Sequence, residues 1–292
     1  MKANRHLVVS LLVFYVITAL LKNLLNLTLI IDLWVLIVHL VMGGVTLIHA
    51  FQWIGKKNTL VFFLITFVVA WSLESLSIAT TFPFGHYYYT DQLLLKLGQV
   101  PVIIMFAYFA VGYLSWVMAH VFAGCYGKPY GRGDVFLVPG LAAIIMVAWD
   151  MTFDPLSSTI VGLWVWVDGG SYFGVPIQNF AGWYLCVYII YTLYFLFIRS
   201  KQLPVTPRQL ESRWFWAYPA LAYLIFSVDT ITKPFRALLG YDPNAPVPAV
   251  NEEVELWMTY DIYYALALVS VFTMTLLGAL ALVQVYKNAD LK

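Results

Sequence analysis

Eight apolar stretches, each about long enough to cross a bilayer, follow one another near residues 6–22, 32–54, 60–80, 101–122, 135–153, 181–198, 214–232 and 259–285. A helix rises about 1.5 Å per residue, so roughly 20 apolar residues match the roughly 30 Å hydrocarbon layer. Inside that layer the backbone must satisfy its own hydrogen bonds, which leaves helices or closed barrels, and runs of this length select helices. The expected fold is all-α: a polytopic membrane helix bundle of about eight transmembrane helices. Seven remain possible, because Lys22, Asn23 and Asn26 interrupt the first run. Composition agrees, with 62% hydrophobic and 11% charged residues and a mean hydropathy of +0.82. A soluble domain carries about 25% charged residues.

Basic residues in short loops stay on the cytoplasmic side. With the N-terminus inside, Lys2, Arg5, Lys56, Lys57, Lys128, Arg132, Arg199, Lys201, Arg208, Arg213, Lys287 and Lys292 fall on the inner face, 12 of the 16 basic residues. Lys22, Lys96, Lys233 and Arg236 are left outside. The expectation is a multi-pass protein of the cell membrane with both termini cytoplasmic. The run after Lys2 and Arg5 lacks a small-residue cleavage site and reads as an uncleaved first helix. Without repeats, low-complexity tracts or linkers, residues 1–292 read as one integral membrane domain. Membrane lipid is the expected surrounding; no nucleic-acid partner is expected, and oligomeric state is open.

Against this apolar background five acids stand in or at the outer ends of the helices: Glu74, Asp150, Asp154, Asp229 and Asp261. An ionisable group at the bilayer centre costs about 2.5 to 3.5 kcal/mol on insertion scales, so such residues need a reason. In Trp149–Pro155, reading WDMTFDP, Asp150 and Asp154 are four residues apart. On a helix that spacing puts both carboxyls on one face, with Cβ atoms about 5 to 6 Å apart. The plainer alternative is that Asp154 ends the helix before Pro155 while Asp150 points into an outer vestibule. Glu74 lies well inside the third run and must be paired or protonated there. Asp91, Asp242, Glu252, Glu253 and Glu255 read as ordinary outer-loop acids.

Three outer segments, near 81–100, 154–180 and 233–258, are long and rich in Gly, Pro and aromatic residues. The middle one is too apolar for an ordinary loop, and irregular backbone at that depth survives only against protein or water. The clusters FPFGHYYY, Phe82–Tyr89, and GGSYFGVPIQNFAGW, Gly169–Trp183, set aromatic faces beside the acids, as the mouth of a lined pocket would. An interfacial aromatic belt is the competing explanation.

A di-iron centre needs several histidines on neighbouring faces, and His6, His39, His49, His86 and His120 scatter over the topology. Cys125 and Cys186 fall at different depths and are not expected to pair. No metal is expected. Lys233, four residues after Asp229, reads as an outer-end ion pair with a snorkelling lysine rather than a Schiff-base site.

Glu74 before FPFGHYYY, QVP at Gln99–Pro101, WDMTFDP, GLWVW at Gly162–Trp166 and SYFGVPIQNFAGW at Ser171–Trp183 together resemble a membrane carotenoid biosynthesis family of the carotenoid 1,2-hydratase type. The resemblance covers about residues 70–185. It implies addition of water to the terminal 1,2 double bond of an acyclic carotenoid end, giving a tertiary alcohol with no cofactor; the partners are a hydrophobic carotenoid and water. Leu76, Ile78 and Thr80 stand where the family has small residues, and the helix after Pro101 lacks an early tryptophan. Those differences bear on the pocket lining and the substrate rather than on the reaction.

In this reading Asp150 and Asp154 form the acid–base pair with Glu74 as third member, their roles interchangeable. Trp149, Tyr87, Trp166 and Tyr172 are the aromatic faces expected to stabilise a carbocation, with Asn179 beside the substrate. An end-group cyclase would use the same protonation and exclude water. A proton- or cation-coupled transporter would use intramembrane acids as a path, at several depths rather than one.

Overall fold

Each apolar run becomes a helix. In the computed structural model, which describes residues 2–25, 28–93, 95–127, 129–239 and 257–292, the order begins with α1 (Lys2–Leu25), α2 (Thr28–Trp53) and α3 (Gly55–Thr80). Short strands β1 (Tyr87–Tyr89), β2 (Lys96–Leu97) and β3 (Val100–Pro101) precede α4 (Val102–Phe122) and α5 (Asp134–Pro155). Then come β4 (Trp164–Trp166), α6 (Ile177–Ile198), the one-turn α7 (Pro207–Leu210), α8 (Arg213–Thr232), α9 (Thr259–Ser270) and α10 (Leu276–Lys287). Asn26, Lys128, Asp242, Glu252, Glu253 and Glu255 lie outside the described residues.

Among the described residues seven segments are long and apolar enough to cross a membrane, and the chain is a multi-pass membrane protein. The first run, interrupted on paper by Lys22 and Asn23, is one of them. The helix that falls short in hydropathy is instead α8, although its 20 residues reach about 30 Å. The reason is its place: α8 packs against α1, α4 and α10 and carries polar groups inward. Two spans run through π turns. Leu156–Ile160 extends α5, and Val271–Thr275 joins α9 to α10.

The core surrounds α4, most of whose residues are buried. Outward-facing stripes are equally apolar, as with Leu60, Leu64 and Val68 on α3 and Leu268 and Phe272 on the last span. Such faces meet lipid, so packing rather than the hydrophobic effect holds the helices together.

Lys22 and Asn23 are buried and turn towards α8. The Lys22 ammonium lies 2.5 Å from Asp229 Oδ1, and Lys233 donates to Asp229 Oδ2 at 2.8 Å. The Asn23 amide donates to the same side chain at 3.0 Å. Lys233 is therefore buried in a three-residue ionic cluster joining α1 to α8; it does not snorkel, because Lys22 helps to bind its partner. Asp261 is exposed in the first turn of α9 and does not join the buried acids. Asp91 is an exposed loop acid paired with Lys96 at 3.0 Å.

At the end of the bundle where α3 and α5 finish, β1 and β4 pair antiparallel with Tyr87 opposite Trp166 and Tyr89 opposite Trp164. Alternation along a strand puts Tyr87 and Tyr89 on one face, and Tyr88 on the exposed one. This ribbon covers the bundle end.

Candidate active site

The ribbon and three helices converge on the carboxyls. Glu74, one turn before Ser77 on α3, is 3% exposed. Its Oε1 accepts from the Tyr108 hydroxyl of α4 at 2.9 Å. Its Oε2 accepts from Tyr89 at 3.0 Å and, in a short hydrogen bond, from Tyr87. Burial and the Glu74 carboxylate hold the Tyr87 and Tyr89 phenols well above the usual tyrosine range, so both remain donors.

The turn that delivers these tyrosines is fastened to α3. The Ser77 hydroxyl accepts the Phe84 N–H at 3.1 Å and donates to Gly85 O at 3.2 Å. Gly85 has φ +125°, a backbone conformation that residues with side chains rarely adopt, and a Cβ there would come within 3.2 Å of Pro176 Cγ. Gly182 on α6 lets that helix approach the same turn, since a Cβ there would meet Pro83 O at 2.7 Å.

Opposite Glu74, Asp150 and Asp154 are each 1% exposed on α5. The helix continues past Asp154 through Pro155 and the following π turn, so Asp154 does not end it, and Asp150, buried against Asn179, does not point into an open vestibule. Asp154 Oδ1 accepts the indole N–H groups of Trp164 at 3.0 Å and Trp166 at 3.1 Å. The Asn179 amide, in the first turn of α6, donates to Asp154 Oδ2 at 2.6 Å and to Asp150 Oδ2 at 3.2 Å. Hydrogen bonds to ionised groups contribute about 1.5 to 3 kcal/mol each, and such donors offset the cost of burying a carboxylate.

Glu74, Tyr87, Trp149, Asp154, Trp166 and Asn179 line one cavity of about 30 Å³, the space of roughly one water molecule. Asp150 stands beside it, behind Asn179. Tyr172 does not line it: its hydroxyl donates to Met151 O at 3.0 Å and its ring packs on Phe173 and Phe180. Burial, with Asp150 nearby, pushes the Tyr172 phenol up to about 12.

The walls are aromatic. Tyr108 and Trp183 lie parallel, with centroids 4.2 Å apart and planes 1° apart. Trp149 stacks on Phe153 at 4.5 Å and 17°. Sequence reasoning gave no roles to Tyr89, Tyr108, Trp164 or Trp183. Period-two reading of YYY and WVW would have exposed the ribbon donors. Tyr108 carries no signal short of the tertiary structure.

His49 and His120 lie buried elsewhere; His49 bonds Tyr113 at 2.8 Å and His120 bonds Tyr130 at 2.9 Å. Among the described residues no three His, Cys, Asp or Glu side chains are grouped to hold a metal ion.

No solved structure matches the chain. Bisanhydrobacterioruberin hydratase of Haloarcula japonica is similar, 26% identical over 117 residues, which are 40% of this chain. The matched part spans 38% of that relative, well under half its length. The family model for carotenoid biosynthesis proteins matches residues 7–238, well beyond the motif-bearing stretch that first suggested it. The chain belongs to the carotenoid biosynthesis protein family.

Proposed function

We propose that this protein is a cofactor-independent carotenoid hydratase, adding water across the terminal 1,2 double bond of an acyclic carotenoid end. The observation that carries the reading is the facing of Glu74 and Asp154 across one aromatic-walled cavity of water size, with Asp150 tied to Asp154 through Asn179. The name of the Haloarcula relative supports the same reaction class.

The Asp150–Asp154 pair supplies the proton. As the alkene π electrons form the new C–H bond at C2, a tertiary cation develops at C1. The faces of Trp149, Trp166 and Tyr87 stabilise it, an attraction of about 0.5 to 2 kcal/mol per ring. Water attacks C1 and its surplus proton passes to Glu74; return of that proton to the aspartate pair resets the site. Alkene and water become a tertiary alcohol, with no net change in electrons. The chain works as one integral membrane domain, and its basic-residue distribution supports a cell-membrane location with both termini cytoplasmic.

Expression in a host that accumulates an acyclic carotenoid tests the reading. The product gains the mass of one water per modified end. A product of unchanged mass with a ring at its end would make the protein a cyclase, and an unmodified carotenoid would remove the enzyme reading.

A further inference from the structure

Beside the acidic cavity lies a larger one of about 240 Å³. The two share four lining residues: Ile104 and Ala107 from α4, and Trp149 and Phe153 from α5. Their spacings, three and four residues, put each pair on one helical face, so two facing helices build a single partition. The larger chamber is lined from the loops at Leu93 and Leu163 down to Met42 and Met274, about half-way along their spans.

We propose that this chamber is the berth of the polyene adjoining the reacting end, and that the four-residue partition is the gate selecting an unringed isoprenoid end for the carboxyls. The assignment rests on the reading of the protein as a carotenoid hydratase. The stacked Trp149 and Phe153 rings form a flat slab on one side of the partition. Ala107, the smallest of the four, leaves the gap on the other. A flat trisubstituted alkene slides along such a slab; a cyclised end, thicker by its puckered ring, does not. The chamber's apolar lining suits a hydrocarbon rod whose remainder extends into lipid. Its charged lining residues are Lys22, Asp229, Lys233 and Arg236, with Lys22 and Lys233 both reaching Asp229, and there an anionic amphiphile would instead place its head.

The test purifies variants from a host making an acyclic carotenoid and reads two quantities: carotenoid retained per protein, by visible absorbance, and hydrated product, by mass. Val38→Trp and Val35→Trp, on the α2 wall of the chamber, lower retention about fivefold or more, and turnover with it. Ala107→Phe keeps retention within about twofold but lowers hydrated product about tenfold or more, because the end no longer reaches the acids. Lys22→Gln leaves retention unchanged. Monodisperse elution in detergent shows that each variant is folded.

Wild-type retention in both α2 variants would overturn the berth, and wild-type turnover in Ala107→Phe would overturn the gate. Retention that follows Lys22 instead of Val38 would assign the chamber to an anionic amphiphile. If the wild type retains carotenoid without hydrating it, and Val38→Trp still lowers retention, the hydratase reading fails while the berth stands.

Discussion

The side-chain amide of Asn179 lies 2.6 Å from the Asp154 carboxylate. The same nitrogen reaches Asp150 at 3.2 Å, so one donor on α6 fixes two acids on α5 in a shared orientation. Replacement of Asp150 or Asp154 by Asn keeps size and packing but removes proton exchange, a contribution of about 100-fold or more to rate. Both variants lose hydration to that extent in a mass-based product assay. Asp261→Asn, at an exposed helix start, stays near wild type. Asn179→Leu, which removes the bridge without touching either acid, falls by about tenfold.

Glu74 is held by hydroxyls from two different elements, so its environment can be dissected. Tyr87→Phe, Tyr89→Phe and Tyr108→Phe each remove one hydrogen bond, about 1.5 to 3 kcal/mol where the acceptor is charged, and each lowers turnover about tenfold or more. Glu74→Gln abolishes product. Equal loss of thermal stability and no loss of turnover in the tyrosine variants would make the trio purely structural.

Much of this arrangement could be read from residue order, and what could not has physical causes. The four-residue spacing of Asp150 and Asp154 is a local property of one helix, so it survives folding unchanged. The pairing of Tyr87 with Trp166 joins segments 79 residues apart through two three-residue strands, too short for a periodic signal to stand out. Tyr108 sits on a helix buried almost all round, where no amphipathic face marks one side. The pairing of Asp229 with Lys233, four residues on, is legible, but its other partners Lys22 and Asn23 come from a helix more than 200 residues earlier. The same concealment affects α8, whose polar groups are spent inside the bundle while lowering its hydropathy.

That ionic cluster makes a stability prediction separate from chemistry. Asp229→Asn leaves two buried ammonium groups without their counter-ion and destabilises the fold by about 3 to 5 kcal/mol. Lys22→Met removes one buried charge together with its cost and is milder. Thermal unfolding in detergent ranks them, and Lys22→Met with Asp229→Asn recovers part of the loss. An Asp229→Asn protein as stable as wild type would reduce the cluster to an incidental contact.

Because the proposed steps move only protons and water, turnover persists in washed membranes after chelator treatment and without nicotinamide or flavin. Activity lost to a chelator and restored by one metal would replace the acid–base account.

If α8 crosses together with the seven apolar spans, the number of crossings is even and the chain returns to its starting side. With the basic residues on the inner side as proposed, reporter fusions at residues 1 and 292 both report a cytoplasmic location; opposite locations would take α8 out of the set of membrane crossings.

The origin of the product oxygen tests the central claim most directly. Membranes containing the protein are incubated with an acyclic carotenoid in oxygen-18 water, and the tertiary alcohol is analysed by mass. Acid-catalysed hydration predicts one labelled oxygen per modified end, formed equally well without molecular oxygen. An unlabelled hydroxyl, or a product that requires molecular oxygen, would contradict it.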